Sequence, residues 1–291
     1  MIERRFVDQY ARGSGVNLDV GEREVTLTYV LAALHEHGLG ADIAFKGGTF
    51  LRKMVFGNNG RFSEDLDFQY VGSDWEDWYL RLEEACREPF CGVRLTVDEM
   101  YETDNSLGLE MSYGHSFVTA GHFSLDLSRR ASLILPSETR LPVEQAYFTR
   151  LPFTPPAVKC MHLVEAWAEK LRASYERAKP RDLLDLYLLT QRPVDLRLLR
   201  RLTVLKVWED RQPFRPGDLV VHWADVEEDW GSLGRLCRKP IPFAVAFAAC
   251  RTRYAALEAL DPGERDLAAD ASRRRTEQAA DLRCELLAWL E

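Results

Sequence analysis

The chain has no CxxC pair and no cysteine–histidine cluster at zinc-ligand spacing. Its six cysteines, Cys86, Cys91, Cys160, Cys237, Cys250 and Cys284, are scattered over 291 residues. A disulfide scaffold is excluded, and free thiols in a reducing compartment are expected. Long apolar runs are also missing. The longest nearly apolar stretch, Ile241 to Cys250, spans ten residues and contains Pro242, too short for a bilayer. The opening, Met1 to Gly13, carries basic residues without an apolar segment behind them, so no signal peptide is expected. The expected location is cytoplasmic, with no membrane partner. Positive charge is in deficit: 38 Lys and Arg stand against 46 Asp and Glu, a net of −8. That argues against a generic polycationic nucleic-acid coat. No internal repeat or low-complexity tract occurs.

What is present is unevenly placed. Between Phe62 and Glu110 there are 14 acidic and 3 basic residues, a net of −11, which leaves +3 for the rest. Between Lys159 and Arg181 the balance reverses, with 6 basic residues and 3 acidic ones. Hydrophobic periodicity predicts a helix over Arg23 to His37, a short strand over Asp42 to Phe45, a glycine turn, and a helix over Thr49 to Val55. Strands follow at Asp65 to Val71, Val93 to Met100, Leu107 to Ser112 and His122 to Ser128, with a helix over Trp75 to Arg87 between the first two. Pro155-Pro156 marks a boundary. Beyond it a helix is expected from Ala157 to Ala178. Pro180 opens another that runs through Leu189, and most of the remainder reads as helical. The expected organisation is α+β, with one domain over 1–155 and a helical domain over 156–291.

Two strands carry chemistry. Alternation puts Leu66 and Phe68 on one face of theirs and Asp65 and Asp67 on the other. Carboxylates so close repel unless a cation stands between them, and oxygen donors suit magnesium. On the last of these strands Phe123, Leu125 and Leu127 share a face, leaving Asp126 flanked by Ser124 and Ser128 on the other. Three acids on neighbouring strands could hold two metal ions, which clamp attacking and leaving oxygens in phosphoryl chemistry. Lys46-Gly47-Gly48-Thr49 joins a strand to a helix. Two glycines let backbone approach a phosphate, and a helix N-terminus offers unpaired N–H groups. Each feature has a plain structural reading too: an exposed acidic strand, or a tight turn.

The second half adds a lysine and an aspartate. On the expected helix from Ala157, Cys160, Val164, Trp167 and Leu171 form an apolar stripe with Lys170 beside it. Such a lysine either snorkels or meets an anion. Asp182 falls in the first turn after Pro180, where the helix dipole suffices to explain an acid. Asp185 lies between Leu184 and Leu186 and has no such explanation, so pairing with Lys170 or a nucleotide suits it. The histidines, at 35, 37, 115, 122, 162 and 222, show no ligand spacing, and most tryptophans read as core.

Four stretches together resemble the AbiEii/AbiGii family of nucleotidyltransferase toxins, the broad group that includes the mycobacterial MenT toxins. They are Lys46 to Lys53, Arg61 to Phe68, Glu169 to Ala173 and Arg181 to Leu186. The resemblance implies a polymerase-β-like nucleotidyltransferase core with a mixed sheet, followed by a helical C-terminal domain that contributes Lys170 and Asp185 to the site. It implies Asp65, Asp67 and Asp126 as metal-binding and catalytic, with two magnesium ions, and Lys170 and Asp185 as catalytic. Lys46, Gly47, Gly48, Thr49, Arg61, Ser63 and Arg181 would bind the nucleotide triphosphate. Ser63 matches a position where phosphorylation inactivates some relatives. The implied function is transfer of a nucleotidyl group to an RNA hydroxyl, with the tRNA 3′ end as acceptor and a cognate antitoxin encoded nearby. The alternatives are a small-molecule (aminoglycoside-type) or protein nucleotidyltransferase, and a catalytically silent nucleotide-binding module.

Overall fold

The computed structural model describes residues 2–129 and 132–289. Its internal contacts divide it into two units. The first comprises Met1–Leu133, Ser137–Met161 and Gly234–Lys239; the second comprises Ile134–Pro136, His162–Leu233 and Pro240–Glu291.

The first unit begins with α1 (Arg4–Ser14) and α2 (Leu18–Glu36). Then come β1 (Ile43–Lys46), α3 (Gly47–Phe50), β2 (Leu66–Tyr70) and α4 (Trp75–Ala85). An antiparallel meander follows, formed by β3 (Arg94–Thr103), β4 (Ser106–His115) and β5 (Val118–Ser128). Two short strands, β6 (Glu138–Arg140) and β7 (Val158–Cys160), close the far edge. Together they make a seven-stranded sheet in the order β3-β4-β5-β2-β1-β7-β6. The sheet is mixed: β2 runs parallel to β5 and β1 to β7, and the other neighbours are antiparallel.

Alternation decides which face is buried. Leu66 and Phe68 on β2, Leu107, Leu109 and Met111 on β4, and Phe123, Leu125 and Leu127 on β5 are all buried. Their polar neighbours turn to the opposite face. One expectation fails here. The stretch after Pro155-Pro156 does not enter a helix at Ala157; Val158–Cys160 becomes β7, with Cys160 beside Phe45 of β1 and opposite Glu138 of β6. Hydrogen-bonding partners on both sides outweigh the helical spacing of Cys160 with Val164. The helix starts at Leu163, capped by the His162 ring accepting from the Val164 N–H.

A buried ionic cluster fastens the segment after the glycine turn. Helix α3 continues as a π-helical stretch, Leu51–Phe56, a geometry frequent at functional sites. Within it Arg52 is buried. Its guanidinium donates to the Gly57 carbonyl at 2.5 Å, the Gly60 carbonyl at 3.0 Å, the Tyr10 hydroxyl at 3.2 Å and Glu24 Oε1 at 3.3 Å. It also lies 4.0 Å above the Phe62 ring. Lys53 Nζ donates to the Glu24 carbonyl at 2.8 Å and to Thr28 Oγ1 at 2.9 Å. Burial would raise the Glu24 carboxyl, but the charges of Lys53 and Arg52 hold it below its ordinary value.

The second unit is helical: α5 (Leu163–Glu176), α6 (Pro180–Thr190), α7 (Leu196–Glu209), α8 (Asp218–Ala224), α9 (Phe243–Tyr254), α10 (Pro262–Ala269) and α11 (Thr276–Ala288). Its core includes Trp167, Trp223 and Tyr254. The Trp167 indole donates to the Tyr254 hydroxyl at 2.7 Å, which in turn donates to the Leu186 carbonyl at 2.9 Å. Glu165 accepts from the Leu135 N–H at 2.8 Å and pairs with Lys206 at 2.6 Å, fastening Ile134–Pro136 to this unit. All six cysteines are free thiols. Among the described residues no helix is long and apolar enough to cross a membrane.

Glu24→Ala strands two buried cations. The expected cost is about 3–5 kcal/mol, read as a lower denaturant midpoint at pH 7. A variant as stable as the parent would refute the role given to this cluster.

Candidate functional site

Strand register builds the site in the first unit. Lys46 stands opposite Asp67, Asp67 beside Asp126, Asp126 opposite Gly108, and Gly108 opposite Tyr101. Residues paired across a ladder share a face. One transverse row therefore runs Lys46–Asp67–Asp126–Gly108–Tyr101 across five strands of the polar face. Asp65 lies immediately before β2.

The glycine turn is shaped around this row. Gly47 has φ +77°, in the left-handed region. A Cβ there would overlap the Asp67 carboxylate, and one on Gly48 would overlap the Arg61 guanidinium and crowd Ser63 Oγ. The two glycines thus let the backbone pass directly against Asp67 and Arg61. Thr49 is fully buried, and its hydroxyl donates to the Asp65 carbonyl. It ties the turn to the strand entrance and fixes Asp65. Arg61 is buried, whereas Ser63, Asp65 and Asp67 are half-buried.

The acids act on one another. The Asp126 carboxyl is raised above its ordinary value, first by burial and then by the charge of Asp67, with Asp65 and Glu110 adding to it. The Tyr101 hydroxyl opposes this by donating to Asp126 Oδ1 at 3.1 Å. Burial and Asp126 together push the Tyr101 phenol up to about 12. The ring of Tyr101 occupies the space a Cβ on Gly108 would need. Among the described residues no three His, Cys, Asp or Glu side chains are placed together so as to hold a metal ion. The carboxylates of this face offer oxygen donors, the kind a hard divalent cation would suit.

In the second unit Lys170 is buried between two acids. Its Nζ lies 2.9 Å from Asp185 Oδ2 and 3.2 Å from Asp182 Oδ1. Arg177 Nε reaches Asp182 Oδ2 at 3.0 Å. Burial would raise the Asp182 carboxyl, but Lys170 and Arg177 hold it down at about 2. Arg181 is half-buried at the start of α6. Arg177 and Arg181 depress the exposed ammonium of Lys179, which marks a local concentration of positive charge.

Residues 29–270 match the family model described as the nucleotidyl transferase AbiEii toxin of type IV toxin–antitoxin systems. The chain belongs to the AbiEii family. Its fold is similar to that of MenT4, a nucleotidyltransferase toxin from Mycobacterium tuberculosis, with 28% identity, a TM-score of 0.84, and coverage of 99% of this chain and 100% of that one. No curated protein sequence matches it. The α+β fold with a mixed sheet read from the sequence is thus the nucleotidyltransferase fold of the MenT toxins, and this AbiEii protein is a nucleotidyltransferase.

Two residues of these networks, Tyr101 and Glu110, lie outside the sequence reading of the site, and a third, Asp182, enters it only as a helix-dipole acid. Tyr101 and Glu110 are legible in principle. Once Asp104-Asn105 is taken as the β3–β4 turn, Thr103 pairs Ser106 and Tyr101 falls opposite Gly108. The helix dipole would suffice for Asp182, yet this acid is fully buried and doubly paired. Its i,i+3 spacing from Asp185 puts both acids on the face that meets Lys170.

Gly47→Ala in this AbiEii enzyme should cost about 1–2 kcal/mol from the left-handed backbone. Nucleotidyl transfer should fall about 100-fold through displacement of Asp67, measured at a temperature where the variant remains folded. Asp182→Ala should destabilise the chain by about 3 kcal/mol at pH 7. Because the Asp182 carboxyl is depressed, its stabilisation is present above its unfolded value of about 4 and lost as pH falls through about 2. The denaturant midpoints of parent and variant should therefore converge in acid. A gap that stays constant down to pH 2 would contradict the pairing.

Proposed function

We propose that this toxin transfers a nucleotidyl group from a nucleoside triphosphate to a hydroxyl at the 3′ end of tRNA, releasing pyrophosphate and blocking aminoacylation. The observation that carries the reading is the Lys46–Asp67–Asp126 row, with Asp126 raised by burial and by neighbouring acids and the glycine turn passing against Asp67.

Asp65, Asp67 and Asp126 would hold two magnesium ions, whose charge lowers the pKa of the attacking hydroxyl and neutralises the departing pyrophosphate. Lys46, Arg61, Ser63 and the backbone of Gly47 and Gly48 bind the triphosphate. Thr49 serves that cradle from behind, by fixing Asp65. The acceptor oxygen attacks the α-phosphorus; that O–P bond forms as the bond to the β-phosphate bridging oxygen breaks, and pyrophosphate leaves. Asp126 receives the hydroxyl proton on Oδ2, since Oδ1 is engaged by Tyr101. The chain's own contribution is chiefly orientation and charge stabilisation. Lys170 and Asp185 belong to the reaction as residues it requires, and Arg181 as a phosphate-binding cation. RNA as acceptor is supported by the concentration of positive charge at Arg177, Lys179 and Arg181 and by the net +3 outside residues 62–110. Membership of a type IV toxin–antitoxin family implies a cognate antitoxin as partner.

The test incubates the protein with total tRNA, magnesium and each labelled nucleoside triphosphate in turn. Label should enter RNA, and both chelation of the metal and Asp65→Ala should abolish it. Labelling that survives Asp65→Ala would sink the assignment of the carboxylates. Label on protein or on an aminoglycoside instead of RNA would move the acceptor to another class.

A further inference from the structure

The geometry points to a second anion-recognising element in the first unit, a cationic groove along α1 that receives the single-stranded 3′ end of the RNA acceptor. The inference rests on the RNA reading above and gives it a location.

Two cavities of about 380 Å³ and about 420 Å³ flank α1 and share Phe6, Gln9 and Arg150 as walls. Arg5 lines the first and Arg238 the second. Arg5, Arg150 and Arg238 are exposed, and none is held in an ion pair among the described residues. Glu3 is the carboxylate in the lining, against these three guanidiniums. Phe6 is half-buried and lines both cavities. Unpaired guanidiniums that follow a groove, with an aromatic ring among them, are what a single strand requires: cations for phosphates and a flat surface for a base.

The second cavity borders the loop that runs on to the reaction face. Asn58 lines the second cavity and stands in the loop that continues to Arg61 and Ser63. Arg238 comes from the Gly234–Lys239 strap, which is fixed to the same loop: the Phe62 N–H donates to the Leu236 carbonyl at 2.8 Å. Arg235 of that strap lies 3.8 Å from Glu64, one residue before Asp65. Arg52 clamps the Gly57 and Gly60 carbonyls of the loop from within. The loop that delivers the proposed phosphate-binding residues therefore also borders the cationic groove.

The experiment measures binding rather than transfer. Fluorescence anisotropy of a dye-labelled single-stranded RNA is recorded with three proteins, each carrying Asp65→Ala to prevent turnover. One has no further change. The second adds Arg5→Ala, Arg150→Ala and Arg238→Ala. The third, charge-matched, adds Arg251→Ala, Arg265→Ala and Arg274→Ala in the second unit. The groove variant should bind about 30-fold more weakly, roughly threefold for each exposed guanidinium removed. Its salt slope should be shallower by about 2, at about 0.7 per phosphate on a single strand. The charge-matched protein should stay near the parent, and all three should unfold at similar temperatures. Equal weakening in the second and third proteins would overturn the groove, as would RNA affinity that is absent in the parent or unchanged in the groove variant. Groove-dependent binding without any transfer to RNA by the unmodified chain would leave the groove standing and refute the proposed reaction alone.

Discussion

Asp67 is the point on which the polar face of the sheet turns. Backbone register gives it a lysine on one side and an aspartate on the other. Neither neighbour can move away without breaking the ladder, because β1, β2 and β5 are adjacent in the sheet. Burial first, and then the proximity of Asp67, raises the Asp126 carboxyl, a standing electrostatic cost. Such a cost persists where the surrounding fold over-determines it, a pattern that clusters at functional sites. The glycine pair follows from the same constraint. Any side chain at Gly47 competes with the Asp67 carboxylate for space, so the turn that could cradle a phosphate is also what leaves Asp67 its rotamer.

Both units fix their motif residues with buried ions, by opposite arrangements. In the first, one acid, Glu24, serves two cations, Arg52 and Lys53. In the second, one central cation, Lys170, serves two acids, Asp182 and Asp185. Hydrophobic replacement would stabilise as well or better, since desolvation offsets much of the Coulomb gain. What ions add is direction. Arg52 directs its donors at two carbonyls of the 57–60 loop, which an aliphatic side chain could not do. Lys170 holds two carboxylates that would otherwise repel across one helical turn.

The strands are legible because β2 and β5 alternate cleanly, with apolar residues inward and acids outward. That alternation puts Asp65 and Asp67 together in the sequence, and puts Asp126 on the corresponding face of its own strand. It does not say that Asp67 and Asp126 are neighbours; that depends on β5 crossing to lie parallel to β2, a long-range choice outside any local pattern. The same limit explains β7. Val158–Cys160 is helical by spacing and extended by partnership, and partners on both sides win. Asp182 shows a different failure. A helix dipole and a buried ion pair both favour an acid in the first turn, so position alone does not choose between them; burial does.

Net charge misleads for a related reason. Interactions between exposed charges fade over about 8–10 Å at ordinary ionic strength, so a ligand senses a patch and not the whole chain's −8. The acidic surplus lies in one stretch of sequence, residues 62–110, where it is easy to count. The cations along α1 come from Arg5, Arg150 and Arg238, far apart in the chain and joined only by the fold. No window of sequence shows them as a basic run. The acids come from β2 and β5, neighbours in the sheet, and the cations from separate loops and helices, within a chain whose overall charge is negative.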